Sequence, residues 1–175
     1  MTSRMARRIC LTPRVHGVGG MVSFQQKLAQ GLAQAGVQVC DDLEDLPYQA
    51  VLVIGGTKQI SRLQRARRSG VRVVQRLDGM NWLHRHGRAA DLSPGKVRHF
   101  LRAEYGNFIL STIRRRIASR IVYQSHFVEN WWQQRYGGVQ APGVVIYNGV
   151  DLSIYSPEGP EQPPEDRWRV LMVDA

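Results

Sequence analysis

Residues 50–77, AVLVIGGTKQISRLQRARRSGVRVVQRL, decide the fold. Two nearly continuous apolar runs, 50–54 and 71–77, bracket a helical segment from Thr57 to Ser69. A strand without apolar and polar alternation is one covered on both faces, as in a parallel sheet, and the helix between two such strands supplies the crossover.

The same alternation continues in both directions. Upstream, Arg8 to Thr12 (RICLT) is a short apolar run closed by Pro13, and the loop His16-Gly17-Val18-Gly19-Gly20 leads into a helical pattern from Val22 to Ala35. Gly36 supplies the stop, and Val37 to Cys40 reads as a second strand. Downstream, Ser119 to Gln124 and Gly143 to Tyr147 read as strands five and six, separated by a helix from Phe127 to Tyr136 that ends at Gly137-Gly138. Strand and helix in turn through most of the chain predict an α/β domain, a Rossmann-like, doubly wound, mainly parallel sheet. No repeat of solenoid period is present.

Composition sets the outer limits. A chain of 175 residues with 43% hydrophobic side chains suffices for one sizeable core. The net charge of +10 is almost wholly arginine, since Lys27, Lys58 and Lys96 are the only lysines. Such a field attracts phosphates, nucleic acid or anionic headgroups without choosing among them. Cys10 and Cys40 fall in neighbouring strands and read as small buried hydrophobes, with no metal or disulfide framework. The apolar run Ile9–Thr12 is too short for a signal peptide and no run reaches spanning length, so a cytoplasmic location is expected, with the inner membrane face as a place of peripheral contact.

Between strands four and five, Asp78 to Ala118 is broken around Leu92-Ser93-Pro94-Gly95 and then turns helical from about Lys96. There Arg98, Arg102, Arg114, Arg115 and Arg116 alternate with Val97, Phe100, Leu101, Phe108, Ile109, Leu110 and Ile113. A basic amphipathic helix of this kind can lie on an anionic membrane, but a surface helix with one core face is the expectation.

Several positions carry chemistry. The loop at Gly19 and Gly20 lies beyond a strand's carboxyl end, where helix-terminal amides can meet a phosphate. The fourth strand ends in Arg76-Leu77-Asp78-Gly79, followed by Asn81, Trp82, His84 and His86. A carboxylate there can hold an acceptor hydroxyl or assist proton transfer, whereas the two histidines read as surface residues and complete no metal set. Ser125 is placed to cap the helix after strand five, and the pair Trp131-Trp132 reads as core on one side and partly exposed on the other.

The stretch Val144-Val145-Ile146-Tyr147-Asn148-Gly149-Val150-Asp151, then Tyr155-Ser156-Pro157, resembles the strand-and-turn signature V-I-x-N-G-V-D-x-x-x-F-x-P that closes the N-terminal domain in family 4 of the GT-B glycosyltransferases. The order of the Gly19-Gly20 loop, Tyr123-Gln124-Ser125-His126-Phe127 and the Asn-Gly turn is similar to that family over about residues 8 to 173. The resemblance implies a retaining, metal-independent enzyme without a cofactor. Its N-terminal domain would carry a saccharide or lipid-linked acceptor, and a second Rossmann-like domain with an E-x7-E motif would bind the nucleotide-sugar. Gly19 and Gly20, with Arg14 and His16 at the mouth of the loop, match the side that faces donor phosphate or acceptor. Asn148, Gly149 and Asp151 match hinge positions, and Asp78 stands where many relatives place a histidine.

The Pro- and Glu-rich stretch 156–168 reads as a linker, and Arg169 to Val173 as the first strand of an interrupted second domain. By itself this half is expected to be inactive. Two other classes stay open. Gly17-x-Gly19 with Asp41 and Asp42 about 20 residues on is an incomplete dinucleotide fingerprint, with Val22 in the place of the third glycine, and would mark an NAD(P)- or FAD-binding oxidoreductase. A nonenzymatic basic module would instead bind anionic membrane or nucleic acid, although no nucleic-acid reader motif is present and none is expected as a partner.

Overall fold

The computed structural model describes residues 7–82, 85, 94–150 and 152. Among them the elements run β1 (Arg8–Thr12), α1 (Gly20–Gln34), β2 (Gln38–Cys40), β3 (Ala50–Ile54), α2 (Ile60–Arg68), β4 (Arg72–Leu77), α3 (Pro94–Thr112), a π-helical turn (Ile113–Ile117), β5 (Arg120–Tyr123), α4 (His126–Tyr136) and β6 (Gly143–Val145). The six strands form one all-parallel sheet in the order β2-β1-β3-β4-β5-β6. This is a Rossmann-like α/β fold. The order reverses direction between β1 and β3, and a doubly wound sheet opens its crevice at the carboxyl ends of the strands beside such a reversal. The expected linker and second-domain strand, 156–175, lie outside the described residues, as do His84, His86 and Asp151.

Strand alternation divides the side chains between two faces. One face carries Cys10, Val51, Val53, Val73, Leu77, Ile121 and Tyr123, all buried beneath α2, the π turn and α4. Leu63 and Ala66 of α2 and Ile113 and Ile117 of the π turn pack on β1, β3 and β4, while Val128 and Trp132 of α4 pack on β4 and β5. The opposite face is covered by α1, none of whose side chains is fully buried. Beyond α1, Leu52, Val74 and Val122 are half-buried, and Val144 and Ile146 are exposed.

Two features lock α4 in place. Ser125 caps it, its Oγ accepting from Val128 N at 3.2 Å. Arg114, 1% exposed, donates from Nε to Tyr123 Oη (3.1 Å) and from Nη1 to Gly137 O (2.9 Å). The carbonyl is at the C-terminal end of α4, where the helix dipole is negative and a cation is stabilised without a carboxylate. Tyr123 is thereby fixed, and its ring leaves no room for a side chain at residue 143: a Cβ on Gly143 would stand 2.7 Å from Tyr123 Cε2.

Cys10 and Cys40 are register partners on β1 and β2, both buried and free. Burial raises both thiols above their ordinary pKa, which suppresses the thiolate that reacts. With Ellman's reagent, the native chain is expected to give no fast thiol, and both to react after unfolding. A fast native phase would contradict the structural role.

Candidate functional site

The carboxyl edge of β3 and β4 opens into a cleft of about 510 Å³. Its floor is the loop Gly55-Gly56-Thr57-Lys58 after β3 together with Asp78, Gly79 and Met80 after β4. Its walls are Met21 from the first turn of α1 and Arg102, Tyr105, Ile109 and Leu110 from α3. The loop is held from below by a buried Gln75, whose amide donates to Gly55 O (2.9 Å) and Leu110 O (3.2 Å) and so ties β3, β4 and α3 at one point. Asn107, also buried, accepts from Asn81 N (2.9 Å) and donates to Asn81 O (2.8 Å), fixing the segment after β4 to α3.

Asp78 is the acid of this cleft. Its backbone carbonyl accepts from Trp132 Nε1 (3.1 Å), so the core of α4 sets its position. Its carboxylate is ion-paired with Arg76, whose Nη2 also donates to Asn148 Oδ1 (3.0 Å) and whose guanidinium stacks 3.9 Å from the centre of the Phe24 ring. Arg76 is 4% exposed, a buried cation satisfied by a carboxylate, an amide and an aromatic face. Burial raises the Asp78 pKa, and the attraction of Arg76 opposes that rise. Lys58 and Arg102 supply positive charge to the cleft, and Tyr105, Ile109 and Leu110 supply apolar surface.

The other predicted residues are not gathered here. Gly20, Asn148 and Gly149 line a second hollow of about 580 Å³ between α1 and β4–β6, whose lining includes Arg76, the ion-pair partner of Asp78. Arg14 and His16 border a third hollow on the β1–β2 side, where Arg14 pairs with Asp41 at 3.1 Å. Gly19 is the N-cap of α1, with no side-chain capping bond. Asn148, predicted to shape a hinge, bonds the Arg76 guanidinium within this domain.

No protein-family model matches the chain, and no curated protein matches it. The site therefore stands on its own geometry. Sequence reasoning did not single out Lys58, Tyr105 or Arg76 as site residues. Lys58 follows a glycine pair at the end of a strand, the same local signal that marked Gly19 and Gly20. Arg102 was visible only as one charge in a basic helix. Among the described residues, no group of histidines, cysteines and carboxylates is arranged to hold a metal ion.

Proposed function

We propose that the chain is the acceptor-side half of a two-domain GT-B glycosyltransferase of the family 4 type, retaining and metal-independent. The observation that carries this reading is the cleft beside the reversal in strand order, which combines one carboxylate of raised proton affinity with two cations and an apolar wall. In this reading Asp78 accepts a hydrogen bond from the acceptor hydroxyl; that oxygen bonds the anomeric carbon, the sugar–phosphate bond of the donor breaks, and the nucleotide diphosphate leaves with the hydroxyl proton. Lys58 and Arg102 hold an anionic group on acceptor or donor. The amides at Gly19 and Gly20 face the donor phosphate, which a second domain brings with its nucleotide, and the active protein works at the cytoplasmic side.

Of the two acids that the dinucleotide alternative would set on a ribose, Asp41 pairs with Arg14 at the surface and Asp42 Oδ1 accepts from Glu44 N at 3.0 Å. The test is to incubate the complete gene product with nucleotide-sugars and acceptors and measure nucleotide diphosphate release. Release is expected to need both substrates, and Asp78→Ala is expected to reduce kcat/KM about a hundredfold. Saturable binding of a nicotinamide or flavin cofactor, with no diphosphate release from any donor, would overturn the proposal.

A further inference from the structure

Helix α3 buries one side, as a surface helix does, but not its most apolar stripe. Its fully buried side chains are Ala103, Asn107 and Ser111, and Ile109 and Leu110 are half-buried against the core, while Val97, Phe100, Tyr105, and above all Leu101 (62% exposed) and Phe108 (64%) face outward. At 3.6 residues per turn, Val97, Leu101, Tyr105 and Phe108 fall within about a quarter of the helix circumference. A core-packed surface helix would bury that stripe. Here Asn107 is drawn inward by its two bonds to Asn81 and Gly106 packs beside Asn81, so the apolar stripe is rotated out.

Charge says what covers it. Arg98 and Arg102, one turn apart, flank the stripe beside Tyr105, and neither makes an ion pair among the described residues. The acid on the other flank, Glu104, is neutralised by a two-pronged bond from Arg85 at 2.6 and 2.7 Å. Exposed Leu and Phe bordered by unpaired arginine, on a chain of net charge +10, is the pattern of a helix lying in the headgroup region of an acidic bilayer. No helix of the described residues is long and apolar enough to cross a membrane.

We infer that α3 docks this domain onto anionic lipid membrane, with Leu101 and Phe108 entering the interface and Arg98 and Arg102 meeting lipid phosphates. Tyr105 of the stripe and Arg102 on its flank are also in the wall of the 510 Å³ cleft, so docking brings the mouth of the cleft to the headgroup plane. The inference rests on the exposure and charge of α3 and is independent of the transferase reading.

The full chain is tested by sedimentation with vesicles of phosphatidylcholine, with and without phosphatidylglycerol. Binding is expected only with the acidic lipid and is expected to weaken with salt. Leu101→Ser with Phe108→Ser is expected to reduce binding tenfold or more, on the order of one buried apolar side chain. Arg98→Gln is expected to reduce it roughly fivefold. Because all three side chains are exposed, unchanged circular dichroism and unfolding transitions are expected, and they separate lost docking from lost folding. Equal binding to both vesicles, or binding unmoved by these variants, overturns the inference. So does a chain that ignores vesicles and instead forms a dimer broken by Phe108→Ser, or one that binds nucleic acid through the same arginines.

Discussion

Trp132→Ala is expected to lower the unfolding free energy by about 4 kcal/mol, the upper range for emptying a large aromatic site. Trp132 is fully buried, stacks on Tyr136 at 5.2 Å between centroids, and lies beside the Arg114 guanidinium at 5.9 Å. Its removal opens a cavity between α4 and the sheet and also releases the carbonyl of Asp78 from Nε1. Trp132→Phe keeps most of the volume and loses that bond, so it is expected to cost only about 1–2 kcal/mol. Urea unfolding of the three proteins measures both steps. A loss below about 1 kcal/mol for the alanine variant would mean that α4 is not packed as described.

Arg76→Ala is the second large effect, about 3 kcal/mol at neutral pH, because it strands a partly buried carboxylate and the amide of Asn148. Its pH dependence is the sharper test. The Asp78 carboxyl already stands above its ordinary pKa through burial, with Arg76 opposing the rise. Without Arg76 it rises further. A carboxyl raised in the folded state binds its proton more tightly there than in the unfolded chain. Its stabilising contribution is complete below the unfolded value, about 4, and is lost as pH climbs through the folded value. The defect of Arg76→Ala is therefore expected to grow from pH 4 to pH 7, and Arg76→Ala with Asp78→Asn to lose that growth. Urea midpoints at several pH values decide it, and a defect independent of pH would show that the two groups are not coupled.

What was legible in the sequence follows the range of the forces involved. Burial on both faces leaves a local mark, so β1 and β3 coincide with the apolar runs at 8–12 and 50–54, and β2, β4 and β5 differ from theirs by a residue at one or both ends. β6 is shorter than its run: the ladder proper stops at Val145, and one bond from Ile146 N to Tyr123 O (2.9 Å) continues it. Capping is local too, and Ser125 and Gly36 act as read, Gly36 with φ +72°.

The orientation of α3 left no such mark. Apolar residues surround the helix, and the side that turns inward is chosen by Asn107, a polar residue whose partner lies 26 positions away. The inward side thus presents Ala103, Asn107 and Ser111 together with half-buried Ile109 and Leu110, and Val97, Leu101, Tyr105 and Phe108 lie outside. Asp78 was legible because strand ends in this fold face the crevice. Its pairing with Arg76, two residues away, is local but leaves no mark in a strand pattern, and the bond from Arg76 to Asn148 joins positions 72 apart. Arg14 and His16 were grouped with the glycine loop by sequence proximity, but the chain turns them toward Asp41 and away from the cleft.

The bond from Arg76 to Asn148 spans 72 residues. Asn148 follows β6, so the bond joins the exit of the last strand back to β4 in the middle of the sheet. A chain that has made β1 to β5 already holds the floor of the cleft, Asp78 included. It still lacks the amide that completes the guanidinium's shell. The exit of the last strand thus acts on the pairing of Asp78 from two strands away, by completing the shell of the Arg76 guanidinium.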